Sequence, residues 1–175
     1  FAESETRFEG EAVALVVGTA DDIITLDTSN LPITWQKLTD VITVTEAADE
    51  RAPQLHIGRA NNRLTGGYVK SGDVESGFEA ADVVVEGTFT TGFVEHAYIE
   101  PEAGFARRVG DRIEVWACTQ APYMDRNSLA EIMGISKNQI RIIPSSVGGG
   151  FGSKLDLSLQ PFVAIAAWHL KRPVK

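Results

Sequence analysis

The chain has 175 residues, 43% hydrophobic and 23% charged, enough apolar side chain to offset the entropy of ordering the backbone, which excludes a disordered segment. No apolar run approaches the roughly 20 residues that cross a bilayer, so a membrane-spanning helix is excluded as well. With 24 acidic and 16 basic residues the net charge is −8, and lysine and arginine form no cluster, which argues against nucleic-acid and membrane partners.

At roughly 100–200 residues per domain this length allows one domain or two small ones. The opening at Phe1 lacks an initiator Met and shows no basic segment followed by an apolar one, so no signal peptide is expected. Both ends read as those of a piece of a longer protein or of one subunit of a complex. Residues 11–17 form a continuous apolar run ending at Gly18, which suits a buried strand. Residues 23–26 and 41–44 are further β-branched strand candidates, separated by turn-prone sequence around Asn30 and Pro32. From Glu46 to Gly67 the chain is polar and rich in turn residues, the best candidate boundary.

Beyond it, Asp73 is a good N-cap for a helix over 73–81, with Val74, Phe78 and Ala81 at helical spacing. Strands are expected over 83–89, 98–107 and 112–118, the last two joined by a hairpin turn at Val109-Gly-Asp111. A helix over 122–133 has Pro122 in its first turn and Gly134 at its stop. A strand over 139–143, a glycine-rich loop and a helix over 156–170 complete the chain, with Trp116, Phe162, Ile165 and Trp168 as core candidates. Strands and helices alternate without a repeating order, which gives an α+β fold with mixed sheets and packed helices.

Three segments could carry chemistry. Gly148-Gly-Gly-Phe-Gly152 lies between a strand and a helix, where bare backbone can approach a ligand closely and amides can converge on an anion or oxo group. It is not a phosphate-binding loop of the Gly-Lys-Ser/Thr kind, because Ser153 stands between Gly152 and Lys154, and G-x-G-x-x-G is absent. Glu95-His-Ala-Tyr-Ile-Glu-Pro-Glu102 gathers three carboxylates and an imidazole without zinc-hydrolase spacing; His96 alone reads as structural. Thr119-Gln-Ala-Pro122 places a neutral amide, Gln120, where a strand ends and a helix opens. Gln120 is either a turn or capping residue, or a donor suited to a metal-oxo or carbonyl oxygen. Cys118 is the only cysteine, so there is no internal disulfide, and a reducing, cytoplasmic setting is the default reading.

Together the three segments resemble the molybdopterin-binding subunit of the xanthine dehydrogenase and aldehyde oxidase family of molybdenum hydroxylases. Glu95-His-Ala-Tyr-Ile-Glu-Pro101 is similar to the family's E-H-x-x-[LI]-E-P strand. Val115-Trp-Ala-Cys-Thr-Gln-Ala-Pro122 is similar to its [VL]-W-x-x-T-Q-x-P segment, and Val147-Gly-Gly-Gly-Phe-Gly-Ser-Lys154 to its G-G-x-F-G-x-K loop. Agreement extends over 61–175, which the resemblance makes the N-terminal part of the molybdopterin-binding domain; 1–60 would be the C-terminal part of an α/β-hammerhead-like domain.

The resemblance implies a molybdenum held by the dithiolene of a pterin, as molybdopterin or its cytosine dinucleotide, rather than by a protein cysteine. It assigns cofactor binding to Gln120, Gly149, Gly150, Phe151 and Gly152, with Gln120 and Phe151 meeting the metal's own ligands. The implied reaction is hydroxylation of a small-molecule substrate with water as oxygen source, electrons passing to iron–sulfur and flavin (FAD) partners. The rest of the molybdenum subunit would be a further partner. Xanthine-oxidising members place a purine-holding glutamate after the loop's lysine; here Leu155 stands there, which favours an aldehyde or N-heteroaromatic substrate. No residue of this chain matches the family's catalytic glutamate, so a catalytic residue is not expected here and the chain alone is expected to be inactive. The alternative is a non-catalytic scaffold or assembly module of the same fold.

Overall fold

The computed structural model describes residues 1–175. The chain divides into two compact units, Phe1–Thr90 and Thr91–Lys175.

In the first unit the regular elements are short helices: α1 (Ala20–Ile24), α2 (Val44–Ala48) and α3 (Val74–Glu79). Each starts on a side-chain cap. Thr19 with Asp22 and Thr43 with Glu46 form reciprocal capping boxes, and Asp73 accepts from the Ser76 amide, as expected for α3. Asn62 gathers the intervening polar stretch: its Nδ2 donates to the Ala47 and Pro53 carbonyls, and its Oδ1 accepts from the Leu55 amide. The strands expected over 11–17, 23–26, 41–44 and 83–89 do not form. β-Branched runs supply the propensity, but a strand needs a neighbour to take its N–H and C=O groups, and none of these runs pairs with another. Ile23 and Ile24 instead close α1 behind the Thr19–Asp22 cap, and Val83, Val84 and Val85 remain exposed.

The second unit is a two-layer α+β arrangement. Strands β1 (Gly104–Val109), β2 (Arg112–Ala117) and β3 (Ile140–Pro144) lie in that order, β1–β2 antiparallel and β2–β3 parallel. Gly110, at φ 63°, makes the expected tight turn between β1 and β2. The parallel step requires a crossover, supplied by helix α4 (Pro122–Met133), whose limits are the expected ones: Pro122 in the first turn and a left-handed Gly134 at the end. Helix α5 (Gln160–Leu170) follows the glycine loop. It starts later than the expected 156, because residues 153–155 are taken up by a tight 3₁₀ turn and Pro161 suits only the first turn of a helix.

Alternation along β2 buries Ile113, Val115 and Ala117 against both helices, where they join Ala106, Leu129, Ala130, Ile140, Ala164 and Ala167. The alanines of α5 are its buried face, so the helix lies close to the sheet. Phe162, Ile165 and Trp168, expected in the core, are half-buried at its margin, because the small residues take the contact positions. Trp116 points to the opposite sheet face, with its ring centroid 5.2 Å from Phe105 and 5.1 Å from the Arg107 guanidinium. The strand expected over 98–107 begins only at Gly104. Upstream, Ala97 at φ 52° breaks the extended backbone and Pro101 has no N–H to give a ladder. No helix is long and apolar enough to cross a membrane.

Candidate functional site

Parallel pairing brings two loops to one edge of the sheet. In the β2–β3 register Ala117 lies beside Pro144, and the Ser145 amide donates to the Ala117 carbonyl at 3.0 Å. The segment after β2, Cys118–Ala121, and the loop after β3, 145–152, therefore leave from adjacent C-terminal strand ends, the position where ligands bind in parallel arrangements. The third segment, 96–102, packs against both.

Gln120 joins two of these segments. Its Oε1 accepts from the Gly152 amide at 3.0 Å and the Lys154 amide at 3.3 Å, while its own backbone N–H donates to the Lys154 carbonyl at 2.9 Å. Two converging N–H donors can meet only the oxygen of the amide, so the side chain has one orientation and its NH₂ has no partner in the chain. Gln120 does not cap α4: the N-cap is Ala121, and the turn is closed by Thr119, whose Oγ1 accepts from the Ala121 amide at 2.9 Å. Gly150 makes this contact possible, since a β-carbon there would lie 2.5 Å from Gln120 Oε1. Gly149, at φ 116°, passes over Tyr98, whose Cβ would be 2.9 Å from an added methyl. Phe151 stands at the loop apex, 75% exposed, with φ 52°. Gln120, Gly149, Gly150, Phe151 and Gly152 thus lie close together, with Gly150 buried against Gln120.

Beneath the loop lies a charged cluster that sequence reasoning missed. One oxygen of Glu100, Oε2, accepts from Lys154 Nζ at 2.6 Å, the Gly148 amide at 2.7 Å and Cys118 Sγ at 3.0 Å. These donors, Lys154 first, hold the Glu100 carboxyl down at about 2 against an ordinary 4.5. Burial penalises the Lys154 charge, but the hydrogen bonds to Glu100 and Cys118 outweigh it and hold the ammonium above the usual lysine range. Burial, and then the neighbouring carboxylate, push the Cys118 thiol up, so it is a packed donor rather than a nucleophile.

The cluster continues into α5. Tyr98 Oη donates to Glu102 Oε1 at 2.6 Å, and Ser158 Oγ donates to Glu102 Oε2 at 2.7 Å. Gln160 Oε1 accepts from the Ser158 amide, and its Nε2 donates to buried Asp125 on α4 at 3.2 Å. Desolvation raises the Asp125 carboxyl against hydrogen bonds from Thr119 and Gln160. Glu95 and His96 lie outside this network: His96 is exposed, 3.8 Å from Glu95, at the rim beside Gly152. Leu155 is exposed next to the loop. No group of His, Cys, Asp and Glu side chains is arranged to hold a bare metal ion.

The depressed Glu100 value has a pH consequence. A carboxyl whose folded pKa lies below its unfolded one contributes stability that is complete above the unfolded value and lost as pH falls through the folded one. The Glu100 anchor is expected to hold above about pH 4.5 and to weaken progressively toward pH 2. Urea midpoints measured across that window should fall with acidification in the wild type and flatten in Glu100→Gln; an unchanged slope would remove Glu100 from the anchor.

The sequence model of a family described as the molybdopterin cofactor-binding domain matches residues 55–175. Over 174 residues, 99% of its length, the chain is 33% identical to the nicotinate dehydrogenase large molybdopterin subunit of Eubacterium barkeri. Over 161 residues, 90% of its length, it is 32% identical to the xanthine dehydrogenase molybdenum-binding subunit of Escherichia coli O157:H7. The chain spans 40% and 21% of the lengths of these relatives. Among solved structures, the aldehyde oxidoreductase of Desulfovibrio gigas superposes on 79% of the chain with a TM-score of 0.68 at 28% identity, the match covering 15% of that protein. Quinoline 2-oxidoreductase of Pseudomonas putida 86 matches the same share with a TM-score of 0.60 at 27% identity, over 18% of its length.

Proposed function

The chain belongs to the molybdopterin cofactor-binding domain family, and on that premise we propose that it forms one wall of the cofactor site in the large subunit of a molybdenum hydroxylase. The observation that carries this is the Gln120 amide. Its oxygen is committed to the Gly152 and Lys154 amides, which leaves a neutral NH₂ donor on a side chain seated against Gly150, where no Cβ intervenes. Such a donor would suit a metal-oxo ligand, since it would meet the oxygen without adding a charge that shifts the metal's potential.

When bound, the molybdenum–pterin group supplies hydroxylation of an electron-poor carbon with water as the oxygen source, and electrons leave to iron–sulfur and flavin partners. This chain's residues position rather than react. Gln120 would hold the group through its NH₂ and Phe151 and Gly152 through their backbone, while Gly149 and Gly150 let the loop pack on Tyr98 and Gln120. The metal would be carried by the pterin dithiolene. The reacting base belongs to another part of the subunit.

Leu155 bears on the substrate. It offers no hydrogen bond, so a purine lodged beside it would bury polar atoms unpaired, at about 1–3 kcal/mol each. An aldehyde or an N-heteroaromatic ring with fewer polar atoms is the better fit. Both parts are tested on the complete subunit. Metal and pterin analysis is expected to return stoichiometric molybdenum, and turnover should favour simple aldehydes or N-heterocycles over xanthine. Protein purified without molybdenum from a host that loads related enzymes would support the scaffold reading instead. Preferred turnover of xanthine would sink the substrate argument alone.

A further inference from the structure

We infer that Lys154 is the positioning residue of the cofactor loop, fixing the Gly148–Gly152 backbone through Glu100 rather than touching the cofactor itself. This rests on the cofactor-wall reading above and extends it to a residue below the surface.

Lys154 is attached through both its main chain and its side chain. Its amide donates to Gln120 Oε1 and its carbonyl accepts from the Gln120 N–H. Its ammonium, with the side chain only 2% exposed, is enclosed by Glu100 Oε2 at 2.6 Å, Cys118 Sγ at 3.3 Å, Glu102 Oε1 at 3.8 Å and the Tyr98 ring, whose centroid is 4.2 Å away. The ammonium donates to Glu100 and Cys118, and the Glu102 carboxylate and the Tyr98 ring cover its remaining side, so the buried group is not presented to a ligand. Direct contact with a bound group is thereby excluded, and an effect on it has to pass through the loop.

The route is short. The Glu100 oxygen that accepts from the Lys154 ammonium also accepts from the Gly148 amide, so both ends of the loop are fixed at one atom. Remove the ammonium, and Glu100 keeps its charge in an enclosed place with only a thiol and one amide to hold it. It then turns toward water and releases Gly148. Packing alone does not call for a lysine here, since a buried ion pair is commonly no more stabilising than an apolar pair of the same volume. What the pair supplies is a defined position for the loop, with Phe151 left at its apex.

The test uses the complete protein and separates position from stability. Lys154→Met is compared with Glu100→Leu/Lys154→Met, in which no unpaired charge remains. Three quantities are followed: the melting temperature, hydrogen exchange of the amides over 147–154 in cofactor-free protein, and molybdenum content after loading. Lys154→Met is expected to melt lower, to exchange about tenfold faster or more over the loop, and to hold about 10–100-fold less molybdenum. The double variant should recover the melting temperature while loop exchange stays fast and molybdenum stays low. Recovery of slow exchange and molybdenum together with stability would overturn the inference, as would slow exchange in Lys154→Met. The exchange measurement needs no cofactor, so it decides the role of Lys154 even if wild-type protein proves unable to hold molybdenum, an outcome that would count against the cofactor-wall reading alone.

Discussion

Replacing Gln120 by alanine in the complete protein is expected to lower molybdenum retention or turnover about 10–100-fold, the loss typical of a partner that orients a metal's ligands. Alanine also releases the Gly152 and Lys154 amides, at about 0.5–1.5 kcal/mol for each hydrogen bond, so some loss of stability accompanies it. Gln120→Glu separates the two effects. A carboxylate oxygen accepts from both amides as the native oxygen does, and the melting temperature should stay close to wild type. The NH₂ is replaced by an acceptor that carries charge, which repels an oxo ligand instead of donating to it. Glu at this position is therefore expected to fold normally, lose molybdenum and turn over slowly. Full metal content and activity in Gln120→Glu would reduce Gln120 to a holder of the loop.

The second large effect is expected at Gly149. Its φ of 116° lies where only glycine is at ease, and an added β-carbon would sit 2.9 Å from Tyr98 Cβ. Valine there meets both objections and adds a second branch, with backbone strain of about 1–3 kcal/mol. The loop has to move, and a displacement near 1 Å at a reacting centre can cost on the order of 100-fold. The buried core of Ile113, Val115 and Leu129 is not touched, so the variant should still unfold cooperatively. Thermal melts and metal content measured on the same Gly149→Val preparation check this. A variant with native molybdenum would show that the shape of the loop is immaterial.

How much of this was legible in the sequence depended on how local the signal was. Helix α4 was readable to the residue because Pro122 and Gly134 mark its ends, and the β1–β2 turn because Gly110 permits a positive φ. The β-branched runs before residue 90 misled, because a strand is half of a pair and its partner leaves no trace in the run itself. The same limit applied to the site. Gln120 and the glycine loop were recognised as motifs, but their contact spans 32 residues, and a capping role for Gln120 fitted the local sequence equally well. In the structure α4 has no side-chain cap, and Thr119 closes the turn before it. Glu100 and Lys154 stood in plain view inside two of the motifs, yet nothing in a separation of 54 residues pairs them. A lysine and a glutamate set among apolar and glycine residues were the one available hint, since charge so placed is enclosed only when matched.

The parallel pairing of β2 with β3 also governs where the chain can change length. Ala117 and Pro144 finish side by side, and from them the two loops set out at the same height. One residue inserted within either strand would slide its loop past the other by about 3.3 Å, more than the Gln120–Gly152 hydrogen bond can span. Exposed Ser146 and Val147 lie between two fixed points of the loop, Ser145 on the Ala117 carbonyl and Gly148 on Glu100. An insertion there can bulge outward, and so can one in the turn between α4 and β3, at the opposite end of the strands from the site. The site can therefore be re-spaced from its surroundings, while the frame that holds its two loops level admits no added or missing residue.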